Sequence, residues 1–408
     1  MTEGEAFMGN QRLDFSKILS KDAPPPTPPH EGDFKYNFVS GHTDPEVVPI
    51  EELAKSAAKV IREKGRKLAM YHSDGGPLGS IDLRKFLSKK LAATRGINAS
   101  TDEIMITSGS TQGILLINDS LLDPGDTVIT ELFTYSGSIR EARRRKANII
   151  GIPLDDNGLR VDLVEQKLEE LKEQGVTPKY IYTIPTNQNP TGTNMPMDRR
   201  IKLLELSSKY RVPIFEDECY ADLVIEGEWF KSIKALDQSN HVLHIGSLSK
   251  SLAPGVRLGY LVAPAELLAQ FLSSKVDVGT NMITPMIAAD FLEAHHQDHS
   301  DNVREKLHRK RDTLTASLKE HFGPIVNFSV PRGGQVLWIE FPKGTDTKKP
   351  LEAAKQQGII YNAGADWSVE PKEASNFIRL CYANPSEEAI REGIGKLAQV
   401  FHEEIGIP

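Results

Sequence analysis

Lys250 stands in the string Ser247-Leu248-Ser249-Lys250-Ser251-Leu252-Ala253-Pro254-Gly255-Val256-Arg257, directly after the apolar run His241-Val242-Leu243-His244-Ile245-Gly246. That run reads as a buried strand. A lysine at the end of a buried strand loses hydration, which lowers its pKa and makes its amine a nucleophile suited to Schiff-base chemistry. Ser247 and Ser249 before it and Arg257 after it suit a phosphate, with hydroxyl donors and a planar guanidinium fork. The competing reading is a surface lysine in a serine-rich turn. Other strings carry their own chemistry. Glu216-Asp217-Glu218 is either an acidic loop or a carboxylate delivered at a strand end. Asn189-Pro190-Thr191-Gly192 is at least a good turn. Thr107-Ser108-Gly109-Ser110-Thr111-Gln112-Gly113, between a strand and a helix, lets backbone N–H groups reach an anion. Arg379, among Phe377, Ile378 and Leu380, is a cation in an apolar setting and needs a partner, either a structural carboxylate or a ligand.

Taken together and in this order, the strings resemble those of fold-type I pyridoxal 5′-phosphate (PLP) enzymes of the class I/II aminotransferase family, from about Asn37 to the C-terminus. The resemblance implies that Lys250 carries the cofactor as a Schiff base and that Asp217 pairs with the ring nitrogen. Tyr220 and Asn189 then serve the ring oxygen, with Asn187 a weaker candidate because no Pro follows it. Ser110, Thr111, Gln112, Ser247, Ser249 and Arg257 match phosphate binders. Tyr135 matches the ring-stacking aromatic, with Phe133 as fallback. Arg379 matches the residue for the substrate α-carboxylate, joined there by Asn189. Gly41 matches the glycine that lets the N-terminal segment approach the substrate. Tyr71 matches a tyrosine reaching the phosphate in the neighbouring subunit, although Gly75-Gly76-Pro77-Leu78-Gly79 departs from the family's usual string. The implied partner is therefore a second copy, a homodimer with shared active sites. Within the family the strings look most like the 2-aminoadipate/kynurenine/aromatic subgroup.

The elements that must position these residues follow from periodicity. Runs at 103–107, 127–131, 149–154, 180–184, 213–216, 242–245 and 258–262 read as strands, with helical patterns such as 161–174 and 198–210 between them. Such alternation predicts an α/β fold, a mostly parallel seven-stranded sheet with helices on both faces. In these sheets ligands gather at the carboxyl ends of strands. After about residue 300 the pattern becomes a smaller α+β domain: a long helix over 303–322, strand-like runs at 335–341, 359–362 and 377–382, and a closing helix over 387–404. The expected division is thus a polar Pro-rich arm (1–36), a segment packing with the small domain (37–64), a large cofactor-binding domain (65–300) and a small domain (301–408). The arm's Pro24-Pro25-Pro26-Thr27-Pro28-Pro29 predicts extended, polyproline-like chain.

Composition narrows the function classes. The 408 residues are 39% hydrophobic and 26% charged, with net charge −7. An acidic chain gives no support to nucleic-acid binding. The basic run Arg143-Arg144-Arg145-Lys146 reads as a helix C-terminus, where cations oppose the dipole. Two cysteines build no disulfide framework, and no apolar run is long enough for a membrane span, so a cytoplasmic protein is expected. No metal is expected either: His295, His296 and His299 lack a supported third ligand. The three tryptophans, Trp229, Trp338 and Trp367, have no recognisable spacing.

The resulting expectation is a PLP-dependent transaminase moving an amino group between an α-amino acid and a 2-oxo acid such as 2-oxoglutarate. The same residues would also serve elimination, decarboxylation or carbon–carbon bond formation. A regulator's sensor domain is disfavoured, since only about 36 polar residues precede the resemblance. Arg12, Lys17, Lys21 and Lys35 are the nearby cations for an acidic side chain, none at a defensible family position.

Overall fold

In a computed structural model the described residues are 13–407 apart from 22, 24, 25, 27–31, 40, 228 and 278. Most of the proline run lies outside them. The chain divides into two units, Met1–Asp33 and Phe34–Pro408. Within the first, Asp14 caps a short 3₁₀ turn, Phe15–Lys17, by accepting from the Ser16 N–H at 3.1 Å.

In the second unit seven strands form the central sheet: β1 (Ile104–Thr107), β2 (Thr127–Glu131), β3 (Asn148–Ile152), β4 (Ile181–Thr183), β5 (Ile214–Asp217), β6 (Val242–Ser247) and β7 (Gly259–Val262). Their order is β1-β7-β6-β5-β4-β2-β3. β7 runs antiparallel to both neighbours, and the remaining pairs are parallel. β1, β2, β4, β5, β6 and β7 are buried along their whole length, which is why they read as continuous apolar runs rather than alternating ones. The fold is α/β as the sequence predicts. The third strand stops at Ile152, and Leu154–Asp155 instead pairs with Gly158–Leu159.

Three helices matter for the site: α1 (Ser110–Leu121) after β1, α2 (Ser136–Arg144) after β2, and α3 (Ile283–His321). Arg143 and Arg144 do lie in the last turn of α2. The helix predicted to start at Val303 starts at Ile283, so residue 300 falls inside it. Pro285 sits in its first turn, where a missing N–H costs nothing. Beyond α3, β8 (Val336–Glu340), β9 (Asn362–Ala363) and β10 (Phe377–Cys381) make an antiparallel sheet in the order β8-β10-β9. The single run predicted at 359–362 is split: Ile359–Ile360 pairs in parallel with Tyr36–Asn37, and Asn362 pairs with Arg379. Tyr36, Phe38 and Val47 share one apolar core with residues of this C-terminal portion.

Candidate active site

β6 ends at Ser247, and the turn after it carries Ser249 and Lys250. The Lys250 amine donates to the Gly41 carbonyl at 2.6 Å and lies 6.0 Å from the Tyr220 ring centroid. Burial lowers its pKa below the ordinary lysine value. A Cβ on Gly41 would stand 2.6 Å from Lys250 Nζ, so only glycine lets this segment come so close.

Asp217 ends β5, two strands of one parallel ladder placing it beside Ile245. Its carboxylate accepts from Tyr182 Oη at 2.7 Å and from the Cys219 N–H at 3.1 Å. Burial pushes its pKa up against those two donors. The neighbouring carboxylates face elsewhere, and all three are at most 4% exposed, so the loop is not a solvated acidic one. Glu216 accepts from the Ile233 and Lys234 N–H groups and meets His244 Nδ1 at 2.9 Å. Glu218 is held by Arg95 and Arg200. Glu216, Glu218 and His244 approach metal-ligand spacing. With two guanidiniums already on Glu218, this cluster reads as an internal ion network. His299 bonds the Ser251 carbonyl at 2.8 Å through Nε2.

Asn189 joins the two halves of the site. Its Nδ2 donates to Tyr220 Oη at 3.1 Å, and its Oδ1 accepts from Arg379 Nε at 2.9 Å. Arg379 is 2% exposed; it also donates to Asn362 Oδ1 at 2.8 Å and the Val39 carbonyl at 3.2 Å, and lies 4.1 Å from the Trp367 ring centroid. Among the described residues neither Arg379 nor Asp217 has an ion-pair partner. Asn187 instead donates to the Tyr220 carbonyl at 3.0 Å, which makes it a support for the loop.

Ser110, Thr111, Tyr135, Asn189, Asp217, Tyr220, Ser247, Ser249, Lys250 and Arg257 all line one open cleft of about 570 Å³. At its floor, Ser110 and Thr111 open α1 after Gly109, whose φ is +77°. A Cβ at Gly109 would stand 2.3 Å from an Arg257 nitrogen, so the backbone and the guanidinium form a close cradle. Gln112 turns away: it accepts from the Ser108 N–H at 2.8 Å and donates to Asp277 at 2.5 Å. Tyr71 is 80% exposed and lines a separate surface cavity that includes Asp277. Phe133, the fallback aromatic, packs on Trp338 and Phe377 at 5.6 and 5.5 Å, while Tyr135 lines the cleft. Lys35 is taken by Glu392 at 2.7 Å, and Arg12 lies outside the described residues.

Sequence reasoning missed Tyr182, Asn362, Trp367 and Trp338. Tyr182, Trp338 and Asn362 reach the site by strand register rather than by a local string, Trp338 and Asn362 by flanking Arg379 on the two adjacent strands, while Trp367 ends the 3₁₀ turn Gly364–Trp367 that follows β9.

The donor set fits PLP: a cradle for an anion, a buried carboxylate without a cation, and a desolvated amine between them. Comparison with known proteins agrees. The family described as aminotransferase class I and II matches residues 37–397. The chain is 35% identical over 372 residues to aromatic-amino-acid aminotransferase 1 of Thermococcus litoralis, covering 90% of this chain and 88% of that one. It is 28% identical over 370 residues to 2-aminoadipate transaminase of Thermus thermophilus, covering 90% and 89%. The multiple substrate aminotransferase of Thermococcus profundus superimposes with a TM-score of 0.89 at 33% identity, covering 96% of this chain and 99% of that one. The chain therefore belongs to the class I and II aminotransferases and is a PLP-dependent transaminase of fold type I.

Proposed function

We propose that this transaminase works through Lys250, Asp217, Asn189, Tyr220 and Arg379, and that its amino donor carries an aromatic or large apolar side chain. One observation carries the assignment of roles: Asp217 and Arg379 are buried ions of opposite sign, both without a counter-ion among the described residues and both tied to the cleft. Buried charges need partners. A protonated ring nitrogen answers Asp217, and an α-carboxylate answers Arg379 in the bidentate manner suited to a guanidinium. Bound PLP supplies an electron sink that makes the substrate's Cα proton removable.

The protein's own part is positioning and proton transfer. Ser110, Thr111, Ser247, Ser249 and Arg257 hold the phosphate at the start of α1, where N–H groups and the helix dipole favour an anion. Asn189 and Tyr220 address the ring oxygen, and the Tyr135 ring covers the cleft floor. Burial keeps Lys250 Nζ available as a neutral amine, able to bind the cofactor and then to take the proton from substrate Cα. Arg379 orients that substrate, with Gly41 admitting the N-terminal segment above it.

The side-chain class rests on the wall around Arg379. Trp367, Trp338, Phe133, Phe377 and Tyr135 form a continuous aromatic cluster. Lys35, Lys17 and Lys21 offer no buried cation for an acidic side chain. A screen of amino donors with 2-oxoglutarate as acceptor tests this. Phenylalanine, tyrosine, tryptophan or kynurenine should lead aspartate and glutamate in kcat/KM, and the reverse order would overturn it.

We further propose a homodimer in which Tyr71 of each chain reaches the partner's phosphate site. Tyr71, Met70 and Leu68 are exposed together, an apolar group better covered than solvated. Among the described residues no helix is long and apolar enough to cross a membrane, and both cysteines are free and buried. These features favour the cytoplasm.

A further inference from the structure

Glu131 ends β2 and is 1% exposed, and it does not line the cleft that holds Lys250. No cation pairs with it among the described residues. Four donors converge on its carboxylate instead. Oε1 accepts from Thr183 Oγ1 at 2.7 Å and the Ile184 N–H at 3.0 Å, and Oε2 accepts from Gln188 Nε2 at 2.8 Å and Thr134 Oγ1 at 3.1 Å. Burial pushes its pKa up to about 7. An unpaired carboxylate is a costly core residue, and an apolar side chain would fill the place more cheaply.

Those donors mark what the carboxylate organises. Gln188 Nε2 also donates to the Phe133 carbonyl at 2.7 Å, while its Oε1 accepts from the N–H and the hydroxyl of Thr191, each at 2.7 Å. Every polar atom of the Gln188 side chain is thereby committed. One amide ties the loop on both sides of Asn189 to the end of β2. Asn189 must satisfy Tyr220 and Arg379 with opposite ends of its own amide, so a small rotation of the loop loses both bonds at once.

We propose that Glu131, acting through Gln188, is a positioning residue that sets the orientation of Asn189 toward Tyr220 and Arg379. This deepens the reading of the cleft given above and rests on it. Glu131→Gln leaves one acceptor oxygen for four donors. Gln188→Met keeps the length and removes the amide.

The test is a spectrophotometric pH titration of the lysine-bound cofactor in the holoenzyme, with KM for donor and acceptor, for Asn189→Ala, Glu131→Gln, Gln188→Met and the doubles with Asn189→Ala. Withdrawing a donor from an anionic ring oxygen favours the protonated form. Asn189→Ala should therefore raise the midpoint by roughly one pH unit, the scale of one hydrogen bond. Glu131→Gln and Gln188→Met should raise it in the same sense and weaken both substrates. Neither should add much in the Asn189→Ala background, because coupled residues do not act additively. If Asn189→Ala moves the midpoint while both other variants leave it at the wild-type value, or if their effects add fully to that of Asn189→Ala, the positioning role is overturned and the cleft reading stands. An unmoved midpoint in Asn189→Ala overturns both. Should Glu131→Gln not fold, Gln188→Met decides by the same criterion.

Discussion

Lys250 is useful because it is uncomfortable. Among the described residues its amine has one hydrogen-bond partner, the Gly41 carbonyl, and burial favours its neutral form. The sign of the pH dependence follows. As pH rises through a depressed lysine pKa the amine becomes free, so the rate at which cofactor-free protein captures PLP should climb with pH. It should level off below the ordinary lysine value of about 10.4. A stopped-flow series against pH reads this directly, and a midpoint at the ordinary value would place Lys250 in water. At Asp217 the sign is opposite: burial disfavours its charge, and only a cation on the ring nitrogen restores it. Asp217→Asn should keep PLP bound but slow turnover by roughly two orders of magnitude or more, the range associated with losing a positioned acid–base partner. Wild-type turnover in that variant would make Asp217 a bystander. Arg379→Ala should raise KM for amino acids and 2-oxo acids alike by roughly 10- to 100-fold, since both present the same carboxylate and charged hydrogen bonds are worth about 1.5–3 kcal/mol. An effect on one substrate class alone would move Arg379 to side-chain recognition.

At the scale of elements, the site is a set of strand ends. Thr107, Glu131, Thr183, Asp217 and Ser247 close strands of one sheet, and the residues that follow them converge. That much was legible in the sequence, because buried strands appear as short apolar runs and each ends in a polar string. The strings placed Lys250, Asp217 and Asn189 at or after those strand ends, and the family resemblance singled them out within the strings. Tyr182, Trp338 and Asn362 could not, since their neighbours are set by pairing between strands far apart in sequence. Gln112 was misleading for the complementary reason: its position in the loop is right, but its amide is drawn to Ser108 and Asp277. The start of α3 was overlooked although Met286, Ala289, Phe291 and Leu292 are buried along it, because Pro285 and the polar stretch with His295, His296 and His299 interrupt the apolar pattern before Val303. A demanding position beside the site is Gly109, where φ is positive and a methyl group would displace the Arg257 guanidinium. Gly109→Ala should weaken PLP retention sharply, with about 1–3 kcal/mol lost to the backbone alone, because φ +77° with ψ +165° is a region that only glycine adopts freely. Equilibrium dialysis measures it, and unchanged retention would mean the cradle is looser than its geometry implies.

At the scale of the whole molecule, the buried ions explain why the fold tolerates a polar centre. Arg95 and Arg200 neutralise Glu218 behind the site, whereas Asp217 and Arg379 have no ion-pair partner among the described residues. The exposed Tyr71 extends the same logic to a second copy. Mixing Lys250→Ala with Tyr71→Ala chains should restore activity above either parent, because each mixed dimer has one site with neither lesion; no recovery despite proven subunit exchange would return Tyr71 to its own chain. The central claim is narrower than assembly. Holoenzyme treated with borohydride, digested and mapped by mass spectrometry locates the lysine bound to the cofactor. One pyridoxylated residue is expected, Lys250, with no label in Lys250→Ala. Stable label on any other lysine, or none in the wild-type protein, would contradict it.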